Sequence, residues 1–256
     1  MSNIETVLSR FGKAAGQYAV CKVQSGDFTL SRMVELTAPK ADWTVIDVAS
    51  GAGHTSALFA PHVARLIAID VTAEMLQQTR KLAMERGIGN IETLQADALS
   101  LPVAPESAHL VTCRLAVHHF VDPSAFMAEA YRILRPGGLV AIVDSHLPDN
   151  AALAEINAIQ KLHDPSHVAC LTRTAFETAT ERAGFSIRAL EEGKIRLGFR
   201  TWTRRVGLPE DICMQLRHLM TDGAGPETAA VLDVRPDEDE EFTFSFQRII
   251  LIGQKA

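Results

Sequence analysis

No two cysteines in this sequence are close enough in the chain to share a zinc ribbon. Cys21, Cys113, Cys170 and Cys213 are scattered and form no C-x-x-C unit, which argues against both a ribbon and a disulfide framework and leaves reduced thiols as the expectation. No apolar run approaches the ~20 residues that a membrane-crossing helix needs, and MSNIETVLSRFGKAAG lacks the apolar core of a signal peptide. The expected setting is cytoplasmic, with no membrane span. Basic charge is in deficit: Lys and Arg number 25 against 31 Asp and Glu, a net charge of −6. That argues against a general affinity for nucleic acid, where phosphates call for clustered cations. There is no internal repeat, and no linker rich enough to split the chain into independent domains.

What is present is an ordinary globular composition, 47% hydrophobic and 22% charged over 256 residues, enough for one large domain with a sizeable core. The chain is organised around TVIDVASGAGHT, Thr44 to Thr55. An apolar run meets Asp47, passes through a glycine-containing turn and enters a helical run, the pattern of a buried parallel strand turning into a helix. Gly51 and Gly53 lack a Cβ, so the turn can bend sharply and let a ligand lie against the main chain. Open α/β sheets bind nucleotide-like ligands at such a turn. A dinucleotide fingerprint would carry a third glycine where Ser56 stands. Asp47 would repel a pyrophosphate but suits a ligand carrying an ammonium and a sulfonium.

Asp47-Val-Ala-Ser-Gly-Ala-Gly resembles the first motif of class I S-adenosylmethionine-dependent methyltransferases, with Ala49 where glycine or alanine is usual. Further segments carry the resemblance from about residue 40 to 147. A second apolar run ends in Asp70, some 20 residues beyond the glycine turn and placed for two ribose hydroxyls, unless it serves as a helix cap. Ile91 to Ala98 reads as a third strand closed by Asp97. Ala108 to Cys113 reads as a fourth, running into Arg114-Leu115-Ala116-Val117-His118-His119-Phe120. A helix over 126–134, the stop Arg135-Pro136-Gly137-Gly138 and a strand over 139–143 follow.

The resemblance implies an α/β fold: a doubly wound, Rossmann-like, seven-stranded sheet with an antiparallel last strand, a helical N-terminal arm and a small helical cap insertion. One methyltransferase domain over 1–256 is expected, with the arm at 1–40, the cofactor-binding core at 41–147, and the remainder of the sheet at 148–256 carrying the cap at about 194–232. The implied cofactor is S-adenosyl-L-methionine, leaving as S-adenosyl-L-homocysteine. It would be held by Tyr18, Asp47, Ala49, Ser50, Gly51, Gly53, Asp70, Val71, Met75, Asp97, Ala98, Arg114 and Leu115, with Asp97 and Ala98 at the adenine. Tyr18 either touches the methionine end or packs against the domain with its hydroxyl in water.

The implied reaction is in-line methyl transfer to a small-molecule acceptor, as in the ubiquinone/menaquinone-biosynthesis C-methyltransferases. His118 and His119 are the catalytic candidates, acting either as a base or by shaping the pocket. The alternatives are a cofactor-binding regulator without catalysis and an RNA methyltransferase. The cluster Lys194, Arg196, Arg200, Arg204 and Arg205 is either a solvated face or a bias toward an anionic acceptor, with Arg200 and Arg204 its test positions. No metal is expected, because Pro165 breaks the helix that a zinc pair at His163 and His167 would need. The acidic run Asp237 to Glu241 reads as a solvated loop before a long terminal strand.

Overall fold

A computed structural model describes residues 3–19, 28–149 and 152–256, without the side chains of residues 13, 14 and 17–19. Tyr18 therefore contributes only its place in a helix, and Cys21 lies outside the described residues. Apolar strands flanked by turn residues form the centre: β1 (Thr44–Val48), β2 (Arg65–Asp70), β3 (Ile91–Gln95), β4 (Ala108–Arg114) and β5 (Leu134–Leu147). They are mutually parallel. After them come the two-residue β6 (Leu171–Thr172) and the long β7 (Phe185–Gly198), then the short β8 (Arg235–Asp237) and the terminal β9 (Glu241–Lys255). The path runs β3-β2-β1-β4-β5-β9-β7, with β6 paired to β5 and β8 to β9.

The seven-strand path is the expected one, and β9 is the expected antiparallel strand beside β5. The sheet itself counts nine strands. The acidic run is the tip of the β8–β9 hairpin, in which Asp237 pairs with Glu241. Strand order reverses between β1 and β4, which opens a crevice at their carboxyl ends.

Successive strand residues point to opposite faces, and two cores follow. On one face, Val45, Leu66, Leu110, Ala141 and Ile250 pack with Met33 of α2 (Phe28–Thr37) and Phe59 of α3 (His54–Phe59). On the other, Ile46, Ile69, Val111, Ile142 and Leu251 pack with Phe126 and Ile133 of α5 (Pro123–Ile133) and Phe176 of α7 (Arg173–Arg182). Asp122 caps α5 by accepting from Ser124 N and Ala125 N. Between them in sequence lie α4 (Ala73–Glu85) and α6 (Ala152–His163). The arm is α1 (Asn3–Ala19), whose Phe11 and Ala15 pack with Met75 of α4 and Ala52 of the glycine turn.

β7 and β9, 14 and 15 residues long, run past the rest of the sheet. Their far halves carry the cap: α8 (Phe199–Arg204), α9 (Glu210–Met220) and α10 (Pro226–Leu232). Phe242, Phe244 and Phe246 alternate onto one face of β9 and pack with Trp202, Leu216 and Leu232 in a separate aromatic core.

The glycine turn is fixed by close approach. Gly53 has φ +87, and a Cβ there would stand 2.8 Å from Thr79 Cγ2 and 3.1 Å from Thr79 Cα on α4. Gly53→Ala combines left-handed strain with overpacking and is expected to lower the unfolding free energy by about 2–4 kcal/mol. A urea titration checks this, and an unchanged midpoint would refute the packing argument.

Candidate active site

The carboxyl ends of β1 to β5, α1 and the cap enclose a cavity of about 450 Å³, a size suited to a small-molecule site. One end is built by backbone turns. Ala49 at φ 53 and Gly51 at φ 54 curl the chain after β1, and Ser50 N donates to Ile69 O at 2.9 Å. The Ser50 hydroxyl is buried without a hydrogen-bond partner and belongs to the cavity wall. Asp70 accepts from Gly51 N at 2.8 Å through Oδ2 and from Thr72 N at 2.8 Å through Oδ1. It therefore ties the glycine turn to Thr72, the residue before α4, and also lines the cavity. Burial raises its carboxyl, against the two backbone donors. Asp97 accepts from Leu99 N at 2.9 Å. Ala49, Val71, Met75, Ala98, Arg114 and Leu115 complete the expected residues in this wall.

Two expected cofactor residues stand behind the wall. Asp47 is 1% exposed, and its oxygens accept from Ser56 Oγ at 2.6 Å and Thr112 Oγ1 at 2.7 Å. Burial pushes it up to about 6. The carboxylate thus ties its strand to the following helix and to the neighbouring strand. Gly53 serves the packing of α4. The side chain of Tyr18 lies outside the described residues, and α1 instead brings Asn3, Ile4, Val7 and Phe11 to the cavity.

The other end is built by the chain after residue 114. The 3₁₀ turn Val117–His119 presents both candidate histidines. His118 Nδ1 lies 2.5 Å from Asp144 Oδ1, and His118 N donates to Asp144 Oδ2 at 3.2 Å. Asp144 is fully buried. Burial alone would raise its carboxyl, but the His118 imidazole, the Ser145 N–H and the Arg248 guanidinium hold it below the usual range. Asp144 had escaped sequence reasoning, although Leu139-Val-Ala-Ile-Val-Asp144 is an apolar run closed by an acid, the signature that exposed Asp70.

His119 packs edge-on against Phe11 with centroids 5.2 Å apart, and its Nδ1 lies 3.2 Å from Ser166 Oγ. His163 stacks on Trp202 at 3.8 Å, and His167 lies 5.5 Å from the His118 ring. All four histidines line the cavity, with Ser145, Asp164, Arg205 and Arg248 among their neighbours. Of the basic cluster, Arg205 reaches the wall, whereas Arg200 and Arg204 are exposed, Arg200 donating to Asp239 O. Among the described residues no group of His, Cys, Asp and Glu has metal-holding geometry, and no helix is long and apolar enough to cross a membrane.

A family profile described as a methyltransferase domain matches residues 46–142. The uncharacterized methyltransferase YcgJ of Bacillus subtilis (strain 168) is 31% identical over 202 residues, covering 78% of this chain and 80% of that protein. The ubiquinone/menaquinone biosynthesis C-methyltransferase UbiE of Marinomonas sp. (strain MWYL1) is 29% identical over 116 residues, covering 44% of this chain and 46% of that protein. The crystal structure of a methyltransferase-like protein from Bacillus halodurans C-125 aligns with a TM-score of 0.84 at 30% identity, covering 88% of this chain and 98% of that one. The chain belongs to the class I S-adenosylmethionine-dependent methyltransferases.

The first end of the cavity fits that cofactor. A Cβ on Gly51 would stand in open space, so the turn leaves room against the main chain. The Ser50 hydroxyl is an orphaned partner for a polar group, and the two strand-end carboxylates keep lone pairs for hydroxyl and amine donors.

Burial pushes His163 and His167 down to about 3, and His119 to about 4. An unfolded histidine protonates near ~6.5, so below that value the unfolded chain binds protons that the folded one refuses. Stability then falls with falling pH until the folded values are reached, at up to about 1.4 kcal/mol per pH unit for each such histidine. Asp47, raised to about 6, acts oppositely between that value and its unfolded ~3.9. With the three histidines outweighing the raised carboxyls of Asp47 and Asp70, the urea midpoint is expected to drop between pH 7 and pH 5, and less steeply in His167→Gln. A flat profile would show that these rings protonate freely in the fold.

Proposed function

We propose that this methyltransferase acts on a small-molecule acceptor held at the histidine end of the cavity, with His118 removing the acceptor's proton and Asp144 orienting it. The observation that carries the proposal is the His118–Asp144 pair, 2.5 Å apart with the carboxylate fully buried and the imidazole in the cavity wall. A buried carboxylate that orients an imidazole on the cavity wall favours catalysis over cofactor binding alone. Enclosure by α1 and the cap, together with the net charge of −6, supports a small acceptor over an RNA strand.

S-adenosylmethionine, when bound, supplies a methyl carbon already made electrophilic by its sulfonium. Asp70 would accept from the ribose hydroxyls, Asp97 and Ala98 would meet the adenine edge, and Val71, Met75 and Leu99 would pack on its faces. Ala49, Ser50, Gly51, Arg114 and Leu115 would hold the amino-acid portion, and Asp47 would act only through the turn it braces.

His118 acts through Nε2. The Asp144 carboxylate only accepts hydrogen bonds, so it holds the imidazole proton on Nδ1 and leaves the Nε2 lone pair in the cavity. The proton of the acceptor's oxygen or nitrogen would pass to Nε2, and the Asp144 carboxylate would balance the new imidazolium, with S-adenosyl-L-homocysteine as the leaving group. Alignment across the cavity does the remaining work, because displacement at an activated methyl depends chiefly on approach geometry.

His118→Gln and Asp144→Asn are each expected to lower kcat by about 10²-fold or more, with cofactor affinity unchanged. The acceptor is first found by a mass-spectrometric screen for methylated products. A loss confined to KM would reassign the pair to shaping the pocket. Asp70→Ala is expected to weaken S-adenosylhomocysteine binding by about 1.5–3 kcal/mol in calorimetry, and unchanged affinity would remove Asp70 from the cofactor site.

A further inference from the structure

The sequence presents His163 and His167 as a broken zinc spacing, and the structure puts both on the wall beside His118. Their protonation states follow from their partners. Asn157 Oδ1 accepts from Cys170 N at 2.8 Å, which orients the amide, and the same oxygen lies 2.8 Å from His167 Nε2. An amide oxygen only accepts, so Nε2 of His167 carries the ring proton and Nδ1 keeps its lone pair.

The other rings follow suit. Ser166 Oγ donates to Asp164 Oδ1 at 2.6 Å and so accepts from His119 Nδ1. His163 Nε2 faces the Trp202 carbonyl at 3.2 Å. Each of these histidines commits its N–H to the protein and keeps a lone-pair nitrogen. For His118 and His167 that nitrogen is neither hydrogen-bonded within the described residues nor sealed from the cavity. Two lone-pair nitrogens open to one cavity call for a ligand that brings donors to them.

We infer that His167 is a second substrate-contacting imidazole, and that it and His118 together read a ring carrying two neighbouring hydroxyl groups. The inference rests on the acceptor occupying the histidine end as proposed above. A dihydroxyarene matches on three counts. Its two O–H groups supply one donor to each lone pair, across rings whose centroids are 5.5 Å apart. A phenolic proton, with a pKa near ~10, is within reach of an imidazole backed by a carboxylate, whereas an aliphatic alcohol is far more basic once deprotonated. Trp202 and Phe246 offer an apolar wall to the ring.

The two imidazoles then differ in role. His118 takes a proton from the oxygen that is methylated. His167, held neutral by burial, accepts a hydrogen bond from the other oxygen and fixes which of the two faces the methyl group. Asn157 is a positioning residue, acting through the His167 tautomer.

The test is binding of catechol, phenol and guaiacol to the full chain with S-adenosylhomocysteine present, by calorimetry. Catechol is expected to bind about tenfold tighter than either single-hydroxyl probe, the value of one added hydrogen bond. His167→Phe is expected to abolish that preference while leaving phenol affinity within about twofold. Equal affinities for catechol and phenol in the unsubstituted protein would overturn the inference. A second measurement needs no variant: ¹⁵N-histidine NMR of the unsubstituted protein should show His167 protonated at Nε2, and protonation at Nδ1 would overturn it too. If catechol is preferred but no acceptor is ever methylated, the catalytic proposal fails and this binding role stands. If methyl transfer occurs without the preference, this inference alone falls.

Discussion

The buried carboxylate of Asp47 is the tie on which the site depends. It lies in the strand at which the sheet reverses order and accepts from Ser56 on one side and Thr112 on the other. Those two hydroxyls join β1 to the helix that follows the glycine turn and to β4, the strand across the crevice. A carboxylate in that position would be costly without both partners. Since Asp47 holds the two lips of the crevice in register, the glycine turn and the histidine turn that leave β1 and β4 keep a fixed separation. Asp70 repeats the device one strand over, tying the glycine turn to the start of α4 through two backbone N–H groups.

The site has two ends of different construction. The cofactor end consists of backbone turns at strand termini, with strain stored where Ala49 and Leu115 take positive φ without being glycine. The acceptor end consists of side chains contributed by α6, the loop after it, β5, β9 and the cap. Loop and turn bind them together: Val168 N and Ala169 N donate to the His118 carbonyl, and Asn3 of the arm donates to that of His119. In the proposed function the first end holds the cofactor and the second selects the acceptor.

That difference decides what the sequence could reveal. Local signals carried the sheet: apolar runs closed by acids, the Gly51–Gly53 turn and the Pro136-Gly137-Gly138 stop all act within a few residues of themselves. The same kind of local signal marks Asp70, Asp97 and the histidine pair, which the fold brings to one cavity wall. Asp144 carried the same run-closing signature and went unused because its partner lies 26 residues away. Trp202 reaches the cavity from the helix that follows the long β7, and Arg248 from its pairing opposite Ser145 in β9, placements that the alternation pattern does not announce. Asp47 is read from its place in the motif, and its two hydroxyl donors, Ser56 and Thr112, show only in the folded chain. The cap arginines stay open in the sequence between a solvated face and a bias toward an anionic acceptor, because charge density in sequence says nothing of direction: Arg200 and Arg204 are exposed while Arg205 lines the cavity. His163 and His167 were weighed as metal ligands by spacing, when the bend at Pro165 is what aims them at a common cavity.

The account turns on His118 and Asp144 working as one unit. A carboxylate that acts only by orienting an imidazole has nothing to contribute once the imidazole is gone. The most direct measurement is a double-mutant cycle on kcat/KM, combining His118→Gln with Asp144→Asn on one acceptor. The predicted result is a double variant within a few-fold of His118→Gln alone. Losses that multiply in the double variant would contradict the account, showing two residues that serve the reaction separately.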